Sequence, residues 1–525
     1  MKPSGPLTST VALVLTAGLA ASTNPAAAQS DPAGFDFVFN IGNVPPGSIF
    51  EITDADIPGT LTTGTQVGDG NFTEGEVFIT PTSLGGDTLN SNSQFNLFDG
   101  GDILLSFSAG PTDGTGSNIE VNISGGSVGD FFDANAGSEV NISGGSVGFV
   151  FEAKSGSTVN ISGGTVGGSS DAESGSTVNI SGGTVGSFFD AESGSAVNLS
   201  GGTVGIGFDA ESGSTVNLSG GEFRLNGSPI SDLSGGFGFG TGNNDLFTGL
   251  LTDGSVFIFA GEASDSFFPG STNLTTDAVA PSANPGVLAS GTFTQGLREG
   301  ESLTVTGTGT LGANFAVVDG TLNIEGGSVG NGLEIVSGEI NLSGGTVGNF
   351  SNAFTGSTVN ISGGTVGDSF EAFSGSTVNI SGGIIEFGFD AESGSTVNIS
   401  GGTIGDNFGA SSGSTVNLSG GTVGDGFLAF SGSTVNLFGT SFVLDGAELT
   451  DLTLGEAFTI TGRGVTLSGF LADGSAFEFE LNIGFAFDQD LFAPDATLTI
   501  TLVPEPTSIL LLGLGGLLTA RRRRV

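Results

Sequence analysis

The motif V-N-[IL]-S-G-G and its close variants recur every 19 residues, and so short a period leaves few ways to fold. Its asparagines stand at Asn122, Asn141, Asn160, Asn179, Asn198 and Asn217. They return at Asn341, Asn360, Asn379, Asn398, Asn417 and Asn436, with Asn323 as an irregular first member of the second series. A unit of about 20 residues cannot bury an apolar face alone, so it must stack on copies of itself as a solenoid. The consensus reads G-S-T-V-N-I-S-G-G-T-V-G-D-x-F-D-A-E-S.

Within each unit the alternation has period 2, which predicts strands and no helices. In Ser176-Thr177-Val178-Asn179-Ile180, valine and isoleucine share one face while threonine and asparagine share the other. In Phe189-Asp190-Ala191-Glu192, phenylalanine and alanine point one way and the two acids the other. Gly-Gly and Ser-Gly-Ser supply the corners. One unit then makes one coil of about three short strands, and neighbouring coils stack in parallel at about 4.8 Å, so six or seven give a rod about 30 Å long. Equivalent residues form ladders, with Phe370, Phe389, Phe408 and Phe427 as one inward stack. The expected fold is all-β, a parallel β-helix. The crossover rule for parallel strands favours a right-handed coil; the alternative is the left-handed hexapeptide form, whose coil of about 18 residues lies close to the 19-residue step.

Each array is followed by related non-repeating sequence. Phe223-Arg224-Leu225-Asn226-Gly227 and Leu251-Thr252-Asp253-Gly254-Ser255 are echoed by Phe442-Val443-Leu444-Asp445-Gly446 and Leu471-Ala472-Asp473-Gly474-Ser475. The chain reads as a tandem duplication of array plus closing module, because an open solenoid end exposes strand edges that need a cap. The expected segments are an N-terminal capping region (29–118), a first array (119–221), closing and opening modules (222–320), a second array (321–440) and a C-terminal cap (441–502). They lie between an export signal (1–28) and a tail (503–525).

Composition excludes several functions. The 525 residues hold no Cys, His, Trp or Tyr, and the formal net charge is -45. Zinc and haem sites of the usual kind lack their ligands, and Ser-His or Cys-His nucleophile pairs cannot form. Nucleic acid requires a basic surface, so it is not an expected partner. Disorder is not expected either, because 37% of the residues are hydrophobic, including 44 Phe.

The two ends read as processing signals. Lys2, the apolar stretch over 11–21 and Ala26-Ala27-Ala28 make a secretory signal peptide, with cleavage by signal peptidase expected after Ala28. An uncleaved N-terminal membrane helix is the alternative, although the apolar run falls short of about 20 residues. At the other end Pro504-Glu505-Pro506 interrupts secondary structure. Residues 508–520 are apolar and helix-compatible, and Arg521, Arg522, Arg523 and Arg524 would stay on the cytoplasmic side. This order resembles the PEP-CTERM sorting signal of Gram-negative bacteria that make exopolysaccharide, a tail sometimes labelled an ice-binding protein C-terminal domain. The resemblance covers 503–525 alone. It implies an exosortase-type membrane protease as partner, a transient or retained inner-membrane anchor, and delivery to the cell surface or extracellular matrix.

Two outward surfaces are candidate sites. The first is a flat Thr-x-Asn face, Thr158/Asn160, Thr177/Asn179, Thr215/Asn217, Thr377/Asn379 and Thr415/Asn417. It resembles the threonine-rich planes of ice-binding β-helices and would suit ice or an ordered polysaccharide, but any solenoid strand must put polar residues outside, so the plain structural reading comes first. The second is the acidic pair on three successive coils, Asp171/Glu173, Asp190/Glu192 and Asp209/Glu211. Calcium would bridge such carboxylates, whereas a solvated acidic edge that keeps the rod soluble needs no ion. The G-G-x-G-x-D nonapeptide of calcium-binding rolls is missing. The repeated Asn-Ile-Ser and Asn-Leu-Ser are formal glycosylation acceptors that recur because the strand recurs.

Catalysis is not expected. A carboxylate pair can break a glycosidic bond without histidine, but near-identical coils offer no irregular cleft. Away from the two ends the only cations are Lys154, Arg224, Arg298 and Arg463. The expected protein is a non-enzymatic, exported structural or adhesive β-solenoid that needs no cofactor unless calcium binds. The alternative is a binder of ice or glycan through the Thr/Asn face, with exopolysaccharide as a partner.

Overall fold

The computed structural model describes residues 93–99, 102–103, 106–231, 245–261, 266–484 and 489–505, and strands alone at 37–41, 50–53, 66–67, 76–79, 84–85 and 237–239. The signal peptide with Ala28, and Pro506 with residues 508–524, lie outside the described residues. The chain divides into two compact units, 1–282 and 283–525.

Among the described residues every regular element is a β-strand, and within each unit the coils stack in parallel as a β-solenoid, about 16 turns in all. In the first unit the strands Thr158–Val166, Thr177–Val185 and Ala196–Val204 lie side by side with Val159 beside Val178 and Val178 beside Val197. Their alternating burial places Val159, Ile161 and Val166 inside, and each such side chain contributes about 1.5–3 kcal/mol by leaving water. The short strands Ser170–Ala172, Phe189–Ala191 and Phe208–Ala210 close the coil.

One detail departs from the expected three strands per coil. The V-N-I and T-V runs are joined into one nine-residue strand that bends at Ser-Gly-Gly. The register slips there, Ser162 pairing with Gly182, which marks a bulge stacked on itself from coil to coil. Both glycines are required. A Cβ on Gly163 would lie 2.4 Å from the Ser143 carbonyl oxygen, and Gly164 has a φ of +73°.

The core columns follow the sequence reading closely. Phe370, Phe389, Phe408 and Phe427 stack with centroids 5.0 Å apart and planes within 12° of parallel. The corresponding column of the first unit is interrupted at Ser170, which is buried and donates to the Gly167 carbonyl at 2.9 Å.

Each array continues past its consensus. Ser93–Leu97 lies under Ile119–Val128 with Asn96 beside Asn122, and the backbone strand Phe37–Ile41 pairs with it in turn. In the second unit Ser302–Leu311 and Val287–Phe293 form the opening rungs. At the other end the last long strand, Thr215–Leu225 or Thr434–Leu444, carries two main partners besides the preceding coil and a two-residue strand, Ser228–Pro229 or Ala447–Glu448. One is a parallel rung, Ser266–Thr276 or Thr497–Leu502. The other is an antiparallel hairpin, Leu246–Leu251 with Val256–Ala260 or Thr466–Leu471 with Ala476–Glu480. An antiparallel hairpin ends the parallel stacking, which is what a cap must do.

Candidate functional site

The Thr-x-Asn face is built on a continuous asparagine ladder. The Asn160 amide donates to Asn141 Oδ1 at 2.8 Å, Asn179 to Asn160 at 2.8 Å, Asn198 to Asn179 at 2.7 Å and Asn217 to Asn198 at 2.7 Å. The ladder runs from Asn96 through Asn122 to Asn273 in the first unit. In the second it runs from Asn323 to Asn436, where the Thr499 hydroxyl donates to the last Oδ1 at 2.6 Å. Strands about 4.8 Å apart set identical amides at hydrogen-bonding distance. Each interior asparagine thereby satisfies one donor and one acceptor on its own kind.

Threonines two residues earlier form the parallel column. In the first unit Ala196 interrupts it between Thr177 and Thr215. In the second Thr358, Thr377, Thr396, Thr415 and Thr434 continue without a break, beside Asn360 to Asn436. All ten residues of the candidate face are half-buried on the outer surface, five coils contributing one pair each.

The acidic residues also form columns rather than a cage. Asp171 lies beside Asp190 and Asp190 beside Asp209, and the same column continues back through Glu152 to Asp133. Glu173, Glu192 and Glu211 extend a second column, each amide donating to the alanine of the preceding coil. Lys154 stands at its foot, hydrogen-bonded to Glu152 and to Glu173, the latter at 2.8 Å. Burial opposes the Lys154 ammonium, but those two carboxylates outweigh it and hold its pKa above the ordinary range. Burial, then the neighbouring Asp190 and Glu152, push Asp171 up to about 6. Burial and the Glu152 hydrogen bond raise Asp133 to about 6. Asp190 is raised by burial and by Glu211. In the second unit burial and Glu392 raise Asp390 to about 6. Among the described residues no group of three or more carboxylates converges as a metal site.

Two features escaped the sequence reading. Asp253 and Asp473, in the turns of the two closing hairpins, reach back to Gly202 and Gly421 of the last regular coils. The other is a set of outward phenylalanines at the corner after V-G. Phe131, Phe149 and Phe188 are 53%, 62% and 53% exposed, and Phe350 and Phe387 are each 50% exposed. The doublets Phe131-Phe132 and Phe188-Phe189 hide this in the sequence, because one ring of each enters the core.

Pro504 and Glu505 follow the last described strand, Thr497–Leu502. The Val503 amide makes the final ladder bond, to Gly439 O at 2.8 Å, and Pro504 has no amide to continue it. Among the described residues no helix is long and apolar enough to cross a membrane.

Comparison with known proteins bears on this tail. Residues 502–524 match the PEP-CTERM protein-sorting motif. The chain thus carries a C-terminal sorting tail, which indicates an exported protein processed by an exosortase-type system. No curated protein matches the chain. Among solved structures, a TibC-catalyzed hyper-glycosylated TibA fragment aligns over 68% of this chain and 86% of its own, at 14% identity and a TM-score of 0.19. So loose a superposition carries no argument about activity.

Proposed function

We propose that the chain is a non-enzymatic structural and adhesive component of the cell surface or extracellular matrix, delivered there by its tail. The asparagine ladder is the observation that carries this reading. The outer face spends its hydrogen-bonding groups on joining coil to coil, as a load-carrying rod would, and near-identical coils supply no unique constellation for catalysis. Signal peptidase at Ala28 and an exosortase-type protease at Pro504-Glu505-Pro506 would release the body, with Arg521 to Arg524 left on the cytoplasmic side. Fractionation of producing cells tests it. The wild-type chain is expected at the surface or in the matrix, and a chain with Pro504 and Pro506 replaced by alanine in the cell envelope. Equal distribution of the two would overturn the proposal.

A second reading is favoured by the unbroken threonine column from Thr358 to Thr434. Such a lattice of hydroxyls and spare amide groups would suit ice or an ordered polysaccharide. Thermal hysteresis and polysaccharide pull-down of the purified chain test it, and no effect in either removes it. Calcium bridging of the acidic columns is tested by melting with added Ca²⁺, where an unchanged melting temperature rejects a specific site.

A further inference from the structure

The corner after V-G is where the first unit departs from what its fold requires. Phe131 and Phe188 hold φ of +64° and +61°, a region that bulky side chains occupy rarely and glycine freely. Other coils place Ser169 and Gly207 at the same position, so the turn itself needs no ring. Phe149, one position earlier on its coil, corresponds to Gly168 and Ser187. The core is already filled by Phe132, Phe151 and Phe189. All three rings are therefore outward apolar surface, and Phe131 and Phe188 hold it in spite of the backbone, whereas on the Phe149 coil the left-handed residue is Val150.

They also form a line. The Phe131 amide bonds to Phe149 O at 2.9 Å, which makes their coils neighbours, and Phe188 stands two coils beyond Phe149. The Phe188 ring lies along the axis over Gly207 of the next coil, where an added Cβ would come 2.7 Å from its Cδ1. Two residues past Phe131 and Phe188 stand Asp133 and Asp190 of the acidic column.

We infer that this corner is a docking line for a linear polysaccharide bearing free amino groups. The apolar faces of sugar rings would lie on the phenylalanines. Ammonium groups would be held between ring faces and the adjoining carboxylates. A second copy of this chain fits poorly, since it would bring acid against acid in a molecule of net charge -45. An anionic polymer meets the same repulsion. An extended peptide repeats its same-face side chains at about 6.7 Å and loses step with coils about 4.8 Å apart, whereas one sugar ring spans about one coil. The inference concerns the purified chain and holds whether or not the delivery proposed above is right.

The test is binding of the full chain to a fully de-N-acetylated glucosamine oligomer, with its N-acetylated counterpart, a sulfated glycan and oligolysine alongside. The glucosamine oligomer is expected to bind best and the sulfated glycan not at all. Phe131→Ser, Phe149→Ser and Phe188→Ser combined should weaken it roughly tenfold, as loss of three ring contacts implies. Serine already stands at this corner in Ser169 and Ser187, and Phe149→Ser alone serves if the triple variant fails to fold. Oligolysine binding as tightly, with the serine variants unchanged, would reduce the effect to bulk charge and overturn the inference. No preference for the amino-bearing oligomer would also overturn it.

Discussion

Asp473 Oδ2 accepts a hydrogen bond from the Gly421 amide at 2.8 Å, 52 residues back along the chain. Its Oδ1 accepts the Ser475 amide at 2.8 Å, so one carboxylate fixes the hairpin turn and fastens it to the last bulge. Asp253 does the same in the first unit, with Gly202 at 2.8 Å and Ser255 at 2.9 Å. The bulge leaves room for nothing larger, since a Cβ on Gly420 would lie 2.5 Å from Asp473 Oδ2. In each unit this aspartate clasps the hairpin turn to the last bulge, in addition to the ladder that pairs hairpin and array.

Removing the clasp should loosen the end before the middle. Asp473→Ala leaves the Gly421 and Ser475 amides without their acceptor, and about 1–3 kcal/mol of local stability should go with it. Hydrogen exchange at residues 466–480 should speed up while Val397 and Ile399 stay protected. Unchanged exchange in the hairpin would show that the clasp carries no stability.

The acidic columns should make stability fall as pH rises. Asp133, Asp171 and Asp390 titrate at about 6 in the folded chain against an ordinary 3.8, because burial and like charges disfavour their ionised forms. Groups so raised stabilise the protonated fold fully below about pH 4, and that contribution is lost as pH climbs through about 6. Burial opposes the Asp473 carboxylate, but its hydrogen bonds prevail and lower its pKa, so it works in the opposite sense and at lower pH. The melting temperature is expected to drop by several degrees from pH 5 to pH 7.5, and by less in Asp171→Asn with Asp190→Asn. A flat profile in the wild-type chain would contradict the burial of the column.

The asparagine ladder should be sensitive in its interior. Asn398 donates to Asn379 and accepts from Asn417, both at 2.8 Å. Asn398→Ala strands one group on each neighbour and should cost about 1–3 kcal/mol. Asn398→Thr keeps a hydroxyl in reach and should cost less. Denaturant unfolding of the two variants separates ladder bonding from simple loss of contact area.

The bulge should reject even a methyl group. A Cβ on Gly382 would sit 2.4 Å from Ser362 O, and Gly383 holds a φ of +79°. Gly382→Ala is expected to lower the melting temperature by several degrees. Gly446→Ala, where an added Cβ meets nothing within 4 Å, pays backbone strain alone and should be milder.

Much of this architecture was open to reading from the chain. The 19-residue step in Asn341 to Asn436 specified stacked coils, and period-2 alternation put Val378 and Ile380 inside. The stack from Phe370 to Phe427 followed from the step alone. Three things did not follow. Gly-Gly was read as a corner, because a bulge and a turn use the same residues until their register is seen. Asp473 stood out only as part of the repeated Asp-Gly-Ser, and its role was hidden because its partner is a backbone amide remote in sequence. Phe188-Phe189 was ambiguous, as alternation cannot tell which ring of a doublet enters the core when a left-handed residue intervenes. The alternation assigned the residues of the two candidate faces to the outer surface, where the structure has them. What was hidden was that the asparagines bond to one another and that Glu152 and Asp133 extend the acids.

The asparagine ladder also has a direction. Every amide points its N–H toward the preceding coil, as every peptide in an α-helix does toward the preceding turn, so the side-chain dipoles add along the stack. The first coils are the positive pole and the last the negative. The ends are furnished accordingly. Glu120 and Glu139 in one unit and Glu339 in the other take the place of threonine near the start, each accepting from an asparagine amide. A hydroxyl donor, Thr499, meets the final oxygen. In each unit a stack of neutral asparagine rungs is in this way electrically polarised, and the two ends of that stack would meet ions and neighbours on unequal terms.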